Sequence, residues 1–128
     1  MEYHYSKLVP MAFDAAIAKV TEELKKEGFG ILTEIDVQAT LKKKLDVEFR
    51  PYRILGACNP HFAYKAFQKE DHIGVLMPCN VIVQDRGAGR TEVSAVNPMS
   101  SMQSVQNPDL GEVAAEVTSR LRKVIDNL

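Results

Sequence analysis

The sequence predicts an α+β fold in which one mainly antiparallel sheet packs against two long helices. Three observations lead there. Residues 13–24 and 110–128 carry apolar side chains at steps of three and four, the period of a helix with one buried face. Around them lie short stretches rich in β-branched and aromatic residues, several of them alternating in type, as strands do. The last two of these stretches flank Arg86-Gly87-Ala88-Gly89-Arg90, a glycine-containing link that reads as a hairpin. The resulting order, β-α-β-α-β-α-β-β-α, places an antiparallel sheet under helices rather than alternating strands in a parallel one.

Tyr3 to Leu8 reads as the first strand, ended by Pro10, a residue suited to the first turn of a helix. In that helix Phe13, Ile17, Val20 and Leu24 form the apolar stripe, Glu22, Lys25 and Lys26 fall off it, and Gly28 supplies the stop. A second strand alternates Ile31, Thr33 and Ile35 with Leu32, Glu34 and Asp36, and Asp36 is placed to cap a short helix bearing Val37, Leu41 and Leu45. Tyr52 to Cys58 is the third strand, with Tyr52, Ile54, Gly56 and Cys58 on one face and Arg53, Leu55 and Ala57 on the other. Asn59-Pro60 then opens a helix with Phe62, Ala63, Ala66 and Phe67 as its apolar face, and the same Asn-Pro device returns at Asn97-Pro98 and Asn107-Pro108.

Residues 73–85, the most apolar stretch, pair with 91–96 as a hairpin. Setting Asp85 against Arg90 brings Cys79 opposite Val96 and Asn97 beside Pro78, where a bulge or a sheet edge is expected. From Pro108 the final helix carries Leu110, Val113, Val117, Leu121, Val124 and Leu128, with Asp109 and Glu112 near its start and Arg120, Arg122 and Lys123 near its end, as the helix dipole favours.

A chain of 128 residues falls within the size of one domain and buries roughly two thirds of its unfolded surface, enough to fold without disulfides. The 16 basic and 17 acidic side chains give a formal charge of −1, without the positive excess that binding a phosphate backbone needs, so nucleic acid is not an expected partner. Lys42-Lys43-Lys44 reads as a solvated helix face. No apolar stretch approaches the roughly 20 residues that cross a bilayer, and Met1-Glu2-Tyr3-His4-Tyr5 has no signal-peptide character, so a cytosolic protein without membrane association is expected.

The only two cysteines occur in a repeated Cys-Asn pair, Cys58-Asn59 and Cys79-Asn80, each where regular structure is interrupted. Cys58 precedes a helix start, whose partial positive charge favours a thiolate. Cys79 shares a strand face with Val75, Met77, Val81 and Val83, which directs it to the core. Two thiols make an incomplete zinc site; His61 is the natural third ligand by position, but no Cys-x-x-Cys or His-x-x-x-His spacing supports it, so neither metal nor cofactor is expected. Glu34 and Asp36 share a strand face, and as a carboxylate pair they are weighed against the simpler reading of one solvated side chain and one helix cap. Gly28-Phe29-Gly30 follows a helix, the wrong setting for a dinucleotide loop.

Three ordered blocks, Gly28-Phe29-Gly30-Ile31-Leu32-Thr33-Glu34-Ile35-Asp36-Val37, Tyr52-Arg53-Ile54-Leu55-Gly56-Ala57-Cys58-Asn59-Pro60 and Leu76-Met77-Pro78-Cys79-Asn80-Val81, resemble the domain of unknown function family 302 over nearly the whole chain. The resemblance implies a curved antiparallel sheet backed by helices, similar in class to the TATA-binding-protein-like arrangement, and a homodimer. It places Glu34, Asp36, Cys58, Asn59, Cys79 and Asn80 in the family's blocks and implies no activity.

Two functions follow from these residues. The first is a homodimeric module that binds a small molecule or a partner, using Glu34, Asp36, Arg53, Cys58, Asn59, Cys79, Asn80 and Asn97, with Cys58, Asn59, Cys79, Asn80 and Asn97 converging on a pocket near the strand ends. The second is a thiol-dependent redox or sulfur-transfer protein, in which Cys58 is the nucleophile, Cys79 resolves it, and Arg53 or His61 assists. Binding is the favoured reading, because the chain shows neither a Cys-x-x-Cys nor a clear base.

Overall fold

The computed structural model describes residues 2–128. In chain order these form β1 (His4–Val9), α1 (Phe13–Lys26), β2 (Gly30–Asp36), α2 (Val37–Leu45), β3 (Tyr52–Cys58), α3 (Pro60–Lys69), β4 (Cys79–Gly87), β5 (Arg90–Val96), α4 (Pro98–Ser101) and α5 (Gly111–Asp126), with 3-10 turns at Ile73–Leu76 and Pro108–Leu110. The strands make one curved, open sheet in the order β1-β5-β4-β3-β2. Every neighbouring pair is antiparallel, so the α+β expectation holds.

Alternation along the strands decides what is buried. Leu55 and Ala57 of β3, Val81 and Val83 of β4, Val93 and Ala95 of β5 and Val9 of β1 all point to one face and are at most 1% exposed. The stripes of α1 (Val20, Leu24) and α5 (Leu121, Val124, Ile125) close over them. Burying each valine, leucine or isoleucine among them contributes about 1.5–3 kcal/mol. Glu23, also buried on α1, is held by Lys26 Nζ at 2.9 Å and Lys19 Nζ at 3.1 Å, and these bonds keep its carboxyl below the usual carboxylate range.

The helix ends follow the local chemistry. Gly28, at φ +86°, lets α1 finish in a Schellman motif, with Gly28 N donating to the Lys25 carbonyl and Phe29 N to the Leu24 carbonyl. Asp36 caps α2 by accepting from Ala39 N at 2.9 Å, and Asn97 and Asn107 cap the segments that follow them by accepting from Met99 N and Asp109 N.

Four expectations are corrected. Pro10 lies outside α1, whose N-cap is Ala12. Residues 73–76 form a 3-10 turn that leaves Val75 84% exposed, and β4 begins at Cys79, after Pro78, because proline cannot donate to the ladder. Phe67 is 46% exposed rather than part of the apolar face of α3. The hairpin closes on Ala88-Gly89, both at positive φ as in a two-residue primed turn, while Gly87 at φ +80° absorbs an extra residue. Asp85 therefore pairs with Thr91, and Val81 with Ala95, one residue displaced from the expected register.

Gly56 is fixed by close packing. The register shift between Ile31 and Thr33 sets Thr33 opposite Gly56, and a Cβ on Gly56 would overlap Thr33 Oγ1 and lie 2.7 Å from Pro78 Cγ. Gly56→Ala is expected to destabilise the fold by about 1–3 kcal/mol, read from the urea midpoint; an unchanged midpoint would show that β2 and the Met77–Pro78 segment yield freely.

Candidate functional site

The Schellman end of α1 leaves the Glu27 carbonyl free of helix bonds. It accepts from Asn59 Nδ2 at 3.2 Å and from Arg120 Nη1 at 3.3 Å. Gly28 makes this approach possible, since a Cβ there would stand 3.0 Å from Asn59 Nδ2. Asn59 thus occupies the N-cap position of α3 without capping it, unlike Asn97 and Asn107. The residue is only 7% exposed, and its Oδ1 is buried with no hydrogen-bond partner.

Asn59 also lines a cavity of about 40 Å³, room for a few waters or a small ligand. The walls come from the ends of β3 and β4 (Cys58, Cys79), from α3 (Phe62, Ala66) and from α5 (Val113, Val117), and they are almost wholly carbon and sulfur. Ala57 pairs with Cys79 across the β3–β4 ladder, which brings the two cysteines to one cavity as free thiols. Burial pushes the Cys79 thiol up to about 11, with Cys58 adding to the effect, and burial likewise raises Cys58. Both thiols are therefore protonated near neutrality, and the thiolate expected at Cys58 from its position before α3 is opposed by desolvation.

The other predicted site residues lie elsewhere. Asn80, expected to converge with the cysteines, alternates to the opposite side of β4 from Cys79 and is exposed. Asn97, likewise expected there, donates through Nδ2 to the Glu2 carbonyl at 2.9 Å and lines a separate surface hollow with His4, Tyr5 and Arg122. Glu34, Asp36 and Arg53 form a cluster at the β2 edge: Arg53 Nη1 donates to Glu34 Oε1, and Nη2 lies 3.6 Å from Asp36 Oδ2. The guanidinium also stands over the Phe13 ring, and its Nε is buried without a hydrogen bond. His61 is exposed on α3.

Of the walls, only Cys58, Asn59 and Cys79 are predicted from the sequence as site residues, and four of the others show why. Val113 and Val117 belong to the core stripe of α5, and periodicity cannot separate a side chain that fills a core from one that borders a cavity. Phe29 is carried in by the Schellman turn, where the residue after the glycine is commonly apolar. Met102 lies just beyond α4 in a stretch without periodic signal.

Because the Cys79 pKa is raised in the folded state, its contribution to stability is complete below pH 9 and is lost between pH 9 and about 11, as the unfolded chain releases the thiol proton first. Cys79→Ala is expected to flatten this alkaline limb of the urea midpoint, and native iodoacetamide labelling should reach Cys58 before Cys79. A limb of the same depth in Cys79→Ala would refute the assignment of this effect to Cys79.

No curated protein matches the chain. A crystal structure of an uncharacterised conserved protein, DUF302, from Bacillus stearothermophilus is similar at a TM-score of 0.90 and 30% identity, covering 98% of each chain. The model of a family described as domain of unknown function DUF302 matches residues 5–128. The chain belongs to that family.

Proposed function

We propose that the protein is a binding domain whose cavity takes a small molecule pairing an apolar body with one N–H or O–H donor. The observation that carries this reading is that Asn59, whose Oδ1 is a buried acceptor without a partner, belongs to a cavity wall that is otherwise carbon and sulfur. An unsatisfied buried acceptor costs about 1–3 kcal/mol, and a ligand that donates to it recovers that cost while its apolar body meets Phe29, Phe62 and Val117. The thiol-exchange reading is weaker on this geometry, because burial keeps both sulfurs protonated and the exposed His61 cannot serve as their base.

A homodimer belongs to the same proposal. The sheet face opposite the long helices carries Ile35, Ile54 and Ile82 in one cross-strand row, and Ile35 and Leu8 are 48% and 46% exposed. Apolar rows left in solvent are the usual material of subunit contacts.

Phenol and toluene, alike in shape and different in one donor, test the ligand reading. Phenol is expected to raise the melting temperature of the protein more than toluene, and Asn59→Leu should reverse that order; no preference for phenol in the unsubstituted protein would sink the reading. For the dimer, sedimentation equilibrium should show two chains per particle, converted to one by Ile82→Asp, whereas a monomer at all concentrations removes that part of the proposal.

A further inference from the structure

Among the described residues, four sulfur-bearing side chains line the cavity: Cys58 at the end of β3, Cys79 at the start of β4, Met77 just before it, and Met102 beyond α4. They come from three segments of the chain, Met77 lying two residues before Cys79, and the rest of the wall is almost wholly hydrocarbon. We propose that this cavity binds a soft monovalent cation of the Cu(I) class through the Cys58 and Cys79 sulfurs, with the Met77 and Met102 thioethers beside them.

The donor set selects the ion. Thiolate and thioether sulfur favour Cu(I), whereas calcium and magnesium demand several oxygens, and among the lining side chains only Asn59 carries an oxygen. Zinc sites take four nitrogen, sulfur or carboxylate ligands; no His, Asp or Glu lines the cavity, and His61 is turned to solvent. A filled-shell monovalent ion is satisfied by two or three sulfurs and needs no further ligand. On binding, each S–H bond breaks and gives its proton to the buffer while a Cu–S bond forms. Copper enters and remains as Cu(I), so no electron is exchanged. Two thiolates and one Cu(I) leave a single negative charge, and the positive end of the ten-residue helix α3 begins at Pro60, two residues from Cys58. The sequence pattern misses this arrangement because it weighs only cysteine and histidine spacings.

The inference goes beyond the organic-ligand reading and rests on different atoms of the same cavity, so the two fail separately. Reduced protein would be titrated anaerobically with Cu(I) buffered by a competing chromogenic chelator, with native mass spectrometry as a second readout. One copper per chain, with loss of two protons, is expected. Cys58→Ser and Cys79→Ser should each lose more affinity than the roughly 10- to 100-fold that removal of a supporting group costs, and Met102→Leu should fall within that range. The phenol preference is read on the copper-free, unsubstituted protein, so either reading can fail while the other stands. Because a cysteine variant can fail to fold, the unsubstituted protein supplies an independent check: bound Cu(I) should protect both thiols from iodoacetamide. No copper uptake, uptake unchanged in the Cys58→Ser/Cys79→Ser protein, zinc taken up as tightly as copper, or thiols that remain as reactive with copper present would each overturn the proposal.

Discussion

The backbone carbonyl of Glu27 accepts from two side chains that arrive from different elements, Asn59 from the head of α3 and Arg120 from α5. This one acceptor joins the end of α1 to the end of β3 and to the last helix, so three segments far apart in sequence meet at a single atom. Its availability depends on the way α1 stops. A helix that ended by fraying would leave its last carbonyls to water, but the left-handed Gly28 turns the chain sharply, satisfies the preceding carbonyls and presents Glu27 outward. Phe29, delivered into the core by the same turn, becomes a wall of the cavity.

The junction also explains the unusual state of Asn59. An amide has two donor hydrogens and one oxygen. With Nδ2 committed to Glu27, the oxygen is directed away from the α3 amides that an N-cap ordinarily serves, and it stays buried and unpaired. Nearby burial suppresses ionisation of the cysteines, so the cavity is uncharged at neutral pH. A pocket of this type discriminates by shape and by one hydrogen bond rather than by charge. Its sulfurs also offer something to a soft ion that they withhold from a hard one.

Much of this arrangement was legible in the sequence, and what was not has identifiable causes. The stripe of Val20 and Leu24, the α5 stripe, the full extent of β3 and the caps at Asp36, Asn97 and Asn107 rest on local chemistry, which a single chain displays. The hairpin register is displaced because Gly87 absorbs one residue that no periodicity records. At the site, Cys58, Asn59 and Cys79 do come together, while Asn80 parts from Cys79 by strand alternation and Asn97 is drawn to the Glu2 carbonyl. Asn59 itself illustrates the limit: as an Asn-Pro pair it matches the two capping asparagines, and only its long-range bond to Glu27 sets it apart.

The cluster of Glu34, Asp36 and Arg53, which resembles a catalytic carboxylate pair when read along the strand, has another meaning at its place in the sheet. β2 is an outermost strand, so its outer row of amide and carbonyl groups is open to any extended chain that drifts alongside, and Leu32, 68% exposed, would welcome one. The register irregularity at Thr33 bends that row, and two carboxylates fixed beside an arginine set charge along it. Charge and a bend at a sheet border are the features that discourage an open edge from templating the addition of further strands.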